Sequence, residues 1–140
     1  MAALTITVAN VATVAGTGEN YGEGTASGTL TAGMPVYIDT ANSNVIKACD
    51  ANASLLASTI AGITLHGALT GQPIKYQKSG NITIGATVAV GTTYVAGATT
   101  AGDINPTTDL ATGWYVSHVG IAISATVIQL RINNSGVAVP

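Results

Sequence analysis

The stretch LTGQPIKYQKSGNITIGATVAV, residues 69–90, decides how the chain is read. Its second half alternates strictly. Ile82, Ile84, Ala86, Val88 and Val90 fall on one side, Thr83 and Thr87 on the other. That period of two is the mark of a β-strand with one buried face. Its first half places Gly71-Gln72-Pro73-Ile74 ahead of a short apolar-polar run, and Lys78-Ser79-Gly80-Asn81 reads as a turn between two strands. The same phrase stands forty residues earlier, where Gly33-Met34-Pro35-Val36 leads into MPVYID, residues 34–39. Glycine supplies a bend, proline denies a ladder donor at the first strand residue, and the β-branched residue begins the pairing. The two phrases mark two equivalent strand starts.

Working outward, strand patterns continue. TANSN, residues 40–44, supplies turn chemistry, and Val45–Ala48 returns as the second strand of a hairpin. Ile63–His66, Pro73–Gln77, Thr92–Ala96, Trp114–Ser124 and Thr126–Ile132 are further strands, and the tail NNSGVAVP is extended. Leu4, Ile6 and Val8 alternate with Thr5 and Thr7 as an N-terminal strand. Residues 14–30, VAGTGENYGEGTASGTL, hold five glycines and the only two glutamates, Glu19 and Glu23, and read as a loop or arm. Residues 50–62, DANASLLASTIAG, are the one candidate helix, with Asp50 or Asn52 as cap, Leu55, Leu56 and Ile60 as a partial apolar face and Gly62 as stop. The expectation is an all-β chain: a small antiparallel β-sandwich or barrel with an extended N-terminal arm and at most one short helix. Residues 1–29 form the strand and Gly-rich arm, and residues 30–140 a single β domain.

Composition narrows the function. The chain has 140 residues, and only 7% of them are charged, against about 25% in an ordinary globular domain. Its surface must be built from Thr, Ser, Asn, Gln, Gly and backbone. Four basic residues, Lys47, Lys75, Lys78 and Arg131, in a chain of net charge −2 cannot form a phosphate-tracking stripe, which argues against nucleic acid as a partner. Weak charge favours association, because little repulsion holds copies apart. No signal peptide and no membrane-spanning helix is read from MAALTITVAN or beyond it. The sequons at Asn52, Asn81 and Asn133 are read as chance.

Groups for chemistry are few. Cys49 is the only cysteine and reads as a small buried hydrophobe. Cys49, His66 and Asp39 or Asp50 can be written as a nucleophile set, but no local motif supports it. His118 reads as a half-exposed strand histidine, and two histidines lack a third metal ligand at usual spacing. GTGENYG is G-x-G-x-x-x-G, not a dinucleotide fingerprint, and no G-K-[ST] occurs. Asp50-x-Asn52-x-Ser54 opens like a calcium loop but has Leu55 and Ala61 where Gly and Glu are needed. No catalytic residue, cofactor or metal is expected. Of Trp114 and Tyr115, one is expected in the core and one at a contact between subunits.

Residues 85–140, GATVAVGTTYVAGATTAGDINPTTDLATGWYVSHVGIAISATVIQLRINNSGVAVP, resemble the capsid decoration (cement) proteins of tailed bacteriophages. The residues that carry the likeness are Thr87–Val95 (T-V-x-V-G-x-x-Y-V), Ala101–Gly113 (A-G-x-I-x-P-x-x-D-L-A-x-G), Val116–Ala122 and Gly136–Pro140. AGITLHGALTGQPIKYQKSG fits the same pattern, so that the resemblance spans roughly residues 30–140. It implies a non-enzymatic virion protein on the outer capsid surface, made in the host bacterial cytoplasm. Its partners would be the major capsid protein and two further copies of itself in a homotrimer. On that reading the contacts come from residues 1–24 and the tail 133–140 together with the aromatic pair: Leu4, Ile6, Val8, Glu19, Tyr21, Glu23, Trp114, Tyr115, Val137 and Val139. A phage tail, fibre or receptor-binding β module is the alternative.

Overall fold

A computed structural model describes residues 2–140. The chain is nearly all β, and its sheet is antiparallel and curled into a half-barrel. Ten strands follow in order: β1 (Val11–Val14), β2 (Asn20–Thr25), β3 (Pro35–Asp39), β4 (Val45–Ala48), β5 (Gly62–Thr64), β6 (Pro73–Ile84), β7 (Thr93–Ala96), β8 (Ile104–Pro106), β9 (Tyr115–Ala122) and β10 (Val127–Ala138). The small antiparallel all-β architecture expected from the alternation is what the chain adopts.

Both copies of the repeated phrase do the same job. Gly33 and Gly71 sit at φ +86 and +87, and Pro35 and Pro73 are the first residues of β3 and β6. The left-handed glycine turns the chain, and the proline starts the strand where no donor is missed. The hairpin from β3 to β4 turns through residues 40–44, with Ser43 and Asn44 both at positive φ. Asp39 organises that turn. Its carboxylate accepts from the Ala41 N–H (3.2 Å), the Asn42 amide (2.9 Å) and the Lys47 ammonium (2.8 Å).

The expected turn at residues 78–81 is absent. β6 runs unbroken for 12 residues and bends instead. Its first half pairs with β2 and β5, and its second half with β1 and β10. Asn20 is opposite Ser79 and Tyr21 opposite Gln77, so Lys78 is the extra residue of a β-bulge. The bulge changes which residues point where. Ile74 and Tyr76 lie in one core, whereas Ile82 and Ile84 lie in another. In a regular strand these four even-numbered residues would share one face. Gln77 points to the side of its register partner Ile63, which belongs to the core of Ile82 and Ile84. The buried Gln77 amide donates to the Ser79 carbonyl (2.8 Å) and the Asn81 carbonyl (3.0 Å), holding the bend from inside. Gly80, at φ +84, meets the Glu19 backbone so closely that a Cβ would lie 2.7 Å from its Cα.

Each half of β6 carries its own core. The larger gathers Ile60, Ile63, Ile82, Ile84, Ile104, Val119 and Ile128, with Cys49 and Tyr94 among them. The smaller is Ala26, Leu30, Val36, Ile46, Ala68, Ile74 and Tyr76. Around the smaller core, β2, β6, β5, β3 and β4 follow one another, and a parallel bridge from Ala26 to Ile46 joins the two ends. Each fully buried isoleucine contributes about 1.5–3 kcal/mol relative to exposure.

Several local expectations are corrected. Leu4, Ile6 and Val8 do not form a paired strand. Leu4 donates its N–H to Ile104 (2.8 Å), Thr7 donates to Gly85 (2.8 Å), and Leu4 and Ile6 pack on the larger core. Residues 14–30 are not a free loop or arm throughout, since β2 pairs along β6. The ideal alternation of residues 82–90 stops at Ile84, because Gly85 at φ +75 turns the chain where the Thr7 oxygen approaches. Residues 50–62 form only a 3-10 turn, Leu56–Ser58. Asp50 accepts from the Asn52 N–H (3.0 Å) and Ser54 from the Ala57 N–H (3.0 Å). Such local side-chain bonds compete with a helix. β8 lies in a segment read as turns, and β10 continues six residues past the expected end at Ile132.

The bend and the hairpin yield three predictions. Gly80→Ala should lose about 1–2 kcal/mol from its dihedral alone, and more from the Glu19 contact. Gln77→Leu should lose about 1–3 kcal/mol by stranding two carbonyls. Guanidinium midpoints check this against Gly71→Ala, where nothing lies within 4 Å of the added methyl; equal midpoints for Gly71→Ala and Gly80→Ala would refute the role of the close contact. The Lys47 and Asn42 hydrogen bonds hold the Asp39 carboxyl below the usual range. Its contribution is therefore complete above the unfolded-state value of about 3.9 and lost as pH falls through the lower folded-state value. Stability measured from pH 6 down to pH 2 should fall more steeply for the native chain than for Asp39→Asn.

Candidate functional site

The structure distributes the ten expected contact residues over separate places. Leu4 and Ile6 are committed to the larger core, and Val8 stands exposed on a 3-10 turn, Val8–Asn10. Glu19 is engaged in its own turn, where its carboxylate accepts from the Gly16 N–H (3.2 Å) and the Thr17 N–H (3.0 Å). Those bonds, the Thr17 one first, lower its pKa from the ordinary value. Tyr21 lies on β2 under the Lys75 ammonium, 4.3 Å from the ring centre, and its hydroxyl is 3.3 Å from that of Thr13. Glu23, also on β2, borders a shallow depression with His66 and Lys75.

The remaining four come together. The start of β9 and the end of β10 are held side by side, with Ala138 opposite Tyr115. Beyond the strands, Gly113 donates to Val139 (2.9 Å) and Val139 donates to Trp114 (2.8 Å). Tyr115 donates its N–H to Ala51 (2.8 Å), which draws in the segment 50–60. The Asn134 side chain fastens that segment a second time, accepting from the Ile60 N–H (2.8 Å) and donating to the Ile60 oxygen (3.1 Å). A primary amide here does what a neighbouring strand would do. Leu55 lies against Gly136.

Three stretches thus converge on one surface. Val137 is 63% exposed, Leu55 49% and Leu56 37%, with Trp114, Tyr115 and Val139 half-buried beside them. Neither aromatic is among the buried core residues. Residues 51–60, 110–124 and 132–140 contain no Asp, Glu, Lys or Arg. These three stretches therefore offer apolar side chains, hydroxyls and amides, while Asp103 and Asp109 lie beside Trp114 at the border of the surface. The sequence reads Leu55 and Leu56 as part of a helix face, where adjacent apolar residues share one stripe, and no local signal marks them as exposed.

The groups considered for chemistry are separated. Cys49 is completely buried in the larger core, and burial pushes its thiol well above the ordinary value. His66 is exposed, and its ring is engaged with backbone: Nε2 accepts the Lys75 N–H (3.2 Å), so Nδ1 carries the proton toward the Gly67 oxygen (2.9 Å). Among the described residues, no three His, Cys, Asp or Glu side chains are placed to hold a metal ion. No helix among them is long and apolar enough to cross a membrane.

No protein-family model matches the chain, and no curated protein matches it.

The burial of Cys49 predicts its reactivity. The native protein should resist a thiol-specific disulfide reagent at pH 8, and one thiol should react once guanidinium unfolds the chain. Prompt labelling of the folded protein would show that the thiol is not sequestered.

Proposed function

We propose that the protein works by adhesion, as a capsid decoration protein of a tailed bacteriophage that binds the outer surface of the major capsid protein at subunit junctions as a homotrimer. The observation that supports this best is the exposed apolar surface built from Leu55, Leu56, Trp114, Tyr115, Val137 and Val139, whose own stretches carry no charged side chain. Val137 and Val139 belong to a segment that resembles cement proteins, and Trp114 and Tyr115 lie between two others. Binding there removes the apolar area of Leu55, Leu56 and Val137 from water. A trimer engages three such surfaces at once, so each can be weak while the assembly is held firmly.

The rigid part of the proposal differs from an arm that orders on docking. Residues 4–14 are already integrated by hydrogen bonds and by β1. Removing residues 2–20 should therefore damage folding along with binding. Substitution is the cleaner test. Leu55→Asp combined with Val137→Asp places two carboxylates on exposed positions, where the change in stability should stay within about 1 kcal/mol. The double variant should keep its circular dichroism spectrum and melting midpoint and lose co-sedimentation with phage capsids that lack decoration protein. Retained binding by the variant, or no binding by the native chain to such capsids, would overturn the proposal.

A further inference from the structure

The outer side of β9 and β10 carries a second feature, built from residues other than those of the apolar surface. β9 and β10 lose register between Leu130 and Asn133, and β7 loses register with β9 between Tyr94 and Val95. The irregularities leave a shallow cup. Its floor is Gly120, where an added Cβ would strike the Gln129 carbonyl. Ile121 and Ile123 form an apolar shelf on one side, and Ile123 is 45% exposed. Gln129 stands opposite Ile121, and further along the two strands come Arg131 and the facing pair His118 and Asn133.

The polar side is organised for an acceptor. The Arg131 Nε donates to Gln129 Oε1 (3.0 Å), which fixes the guanidinium and leaves its terminal nitrogens free of any carboxylate among the described residues. No Asp or Glu lines the cup. The His118 Nδ1 is buried and has no partner among the described residues. A bare nitrogen is less costly to bury than an unpaired N–H, so the ring proton belongs on Nε2, a donor. Asn133, opposite His118 in the register, adds an amide. Fixed guanidinium, imidazole N–H and amide donors beside an apolar shelf match a carboxylate on an aliphatic stem.

We propose that this cup receives a glutamate side chain of a partner protein, presented on an extended segment whose apolar neighbours lie on Ile121 and Ile123. The proposal stands whether or not the apolar surface at Leu55 and Val137 binds a capsid. Geometry favours a glutamate over a free acid because the shelf continues along the strand direction past the donors, giving flanking residues a place to lie.

The test uses the intact isotope-labelled protein and the peptide Ac-Val-Glu-Val-NH2, with Ac-Val-Gln-Val-NH2 as the uncharged control and hexanoate as a free carboxylate. Amide chemical shifts at Thr93, His118, Gly120 and Arg131 should move with the glutamate peptide, and its affinity should exceed that of the glutamine peptide by about tenfold. Arg131→Gln should remove that preference while leaving the spectrum folded. Ile123→Ser removes part of the shelf, serves as the second variant and should weaken both peptides equally. Equal binding of the two peptides, a preference that survives Arg131→Gln, or tighter binding of hexanoate than of the glutamate peptide would overturn the proposal.

Discussion

The bend in β6 is the constraint on which the rest of the molecule depends. One strand of 12 residues joins the two halves of the curled sheet because a bulge at Lys78 and a left-handed Gly80 turn it between them. Without the bulge, Ile74, Tyr76, Ile82 and Ile84 would share a face and compete for one core. With it, each pair enters a different core. The buried Gln77 amide satisfies two carbonyls at the point where the ladder is disrupted. An interior polar group is tolerated there because it answers backbone groups that the bulge leaves unpaired.

The two cores explain how a chain with so few charges remains folded and specific. The smaller core is ringed by five strands, and the parallel bridge from Ala26 to Ile46 removes a sheet edge that would otherwise invite another chain. The larger core is covered by the N-terminal segment, whose Leu4 and Ile6 add apolar area. The Asn134 amide ties residue 60 beneath β10 in the same spirit, as a side chain standing in for a strand. Apart from these closures, two exposed surfaces stand out.

Those surfaces are of two chemical kinds. The one at Leu55, Trp114 and Val137 is apolar, with Asp103 and Asp109 beside Trp114 at its border. The cup at Arg131 places a single oriented cation against an apolar shelf, where selectivity comes from one charge-assisted contact. β10 reaches both, and it is longer than its alternation suggested, because pairing with β9 continues through Asn133, Asn134 and Ala138.

Sequence by itself determined the class of fold and the two proline-led strand starts at Pro35 and Pro73. Alternation at Leu130, Ile128 and Val119, the turn at residues 40–44, and the two Gly-x-Pro phrases act through local dihedral preference and through period, and both are written in consecutive residues. Tertiary structure alone decided the rest. Lys78-Ser79-Gly80-Asn81 has turn chemistry, yet strands on both sides of it hold it extended, and only the partners' register reveals a bulge in place of a hairpin. Residues 20–25 look like flexible glycine-rich chain until β6 supplies hydrogen bonds to them. The surface of Leu55, Trp114 and Val137 joins residues more than eighty positions apart, and no local pattern encodes which distant segments a backbone hydrogen bond will bring together.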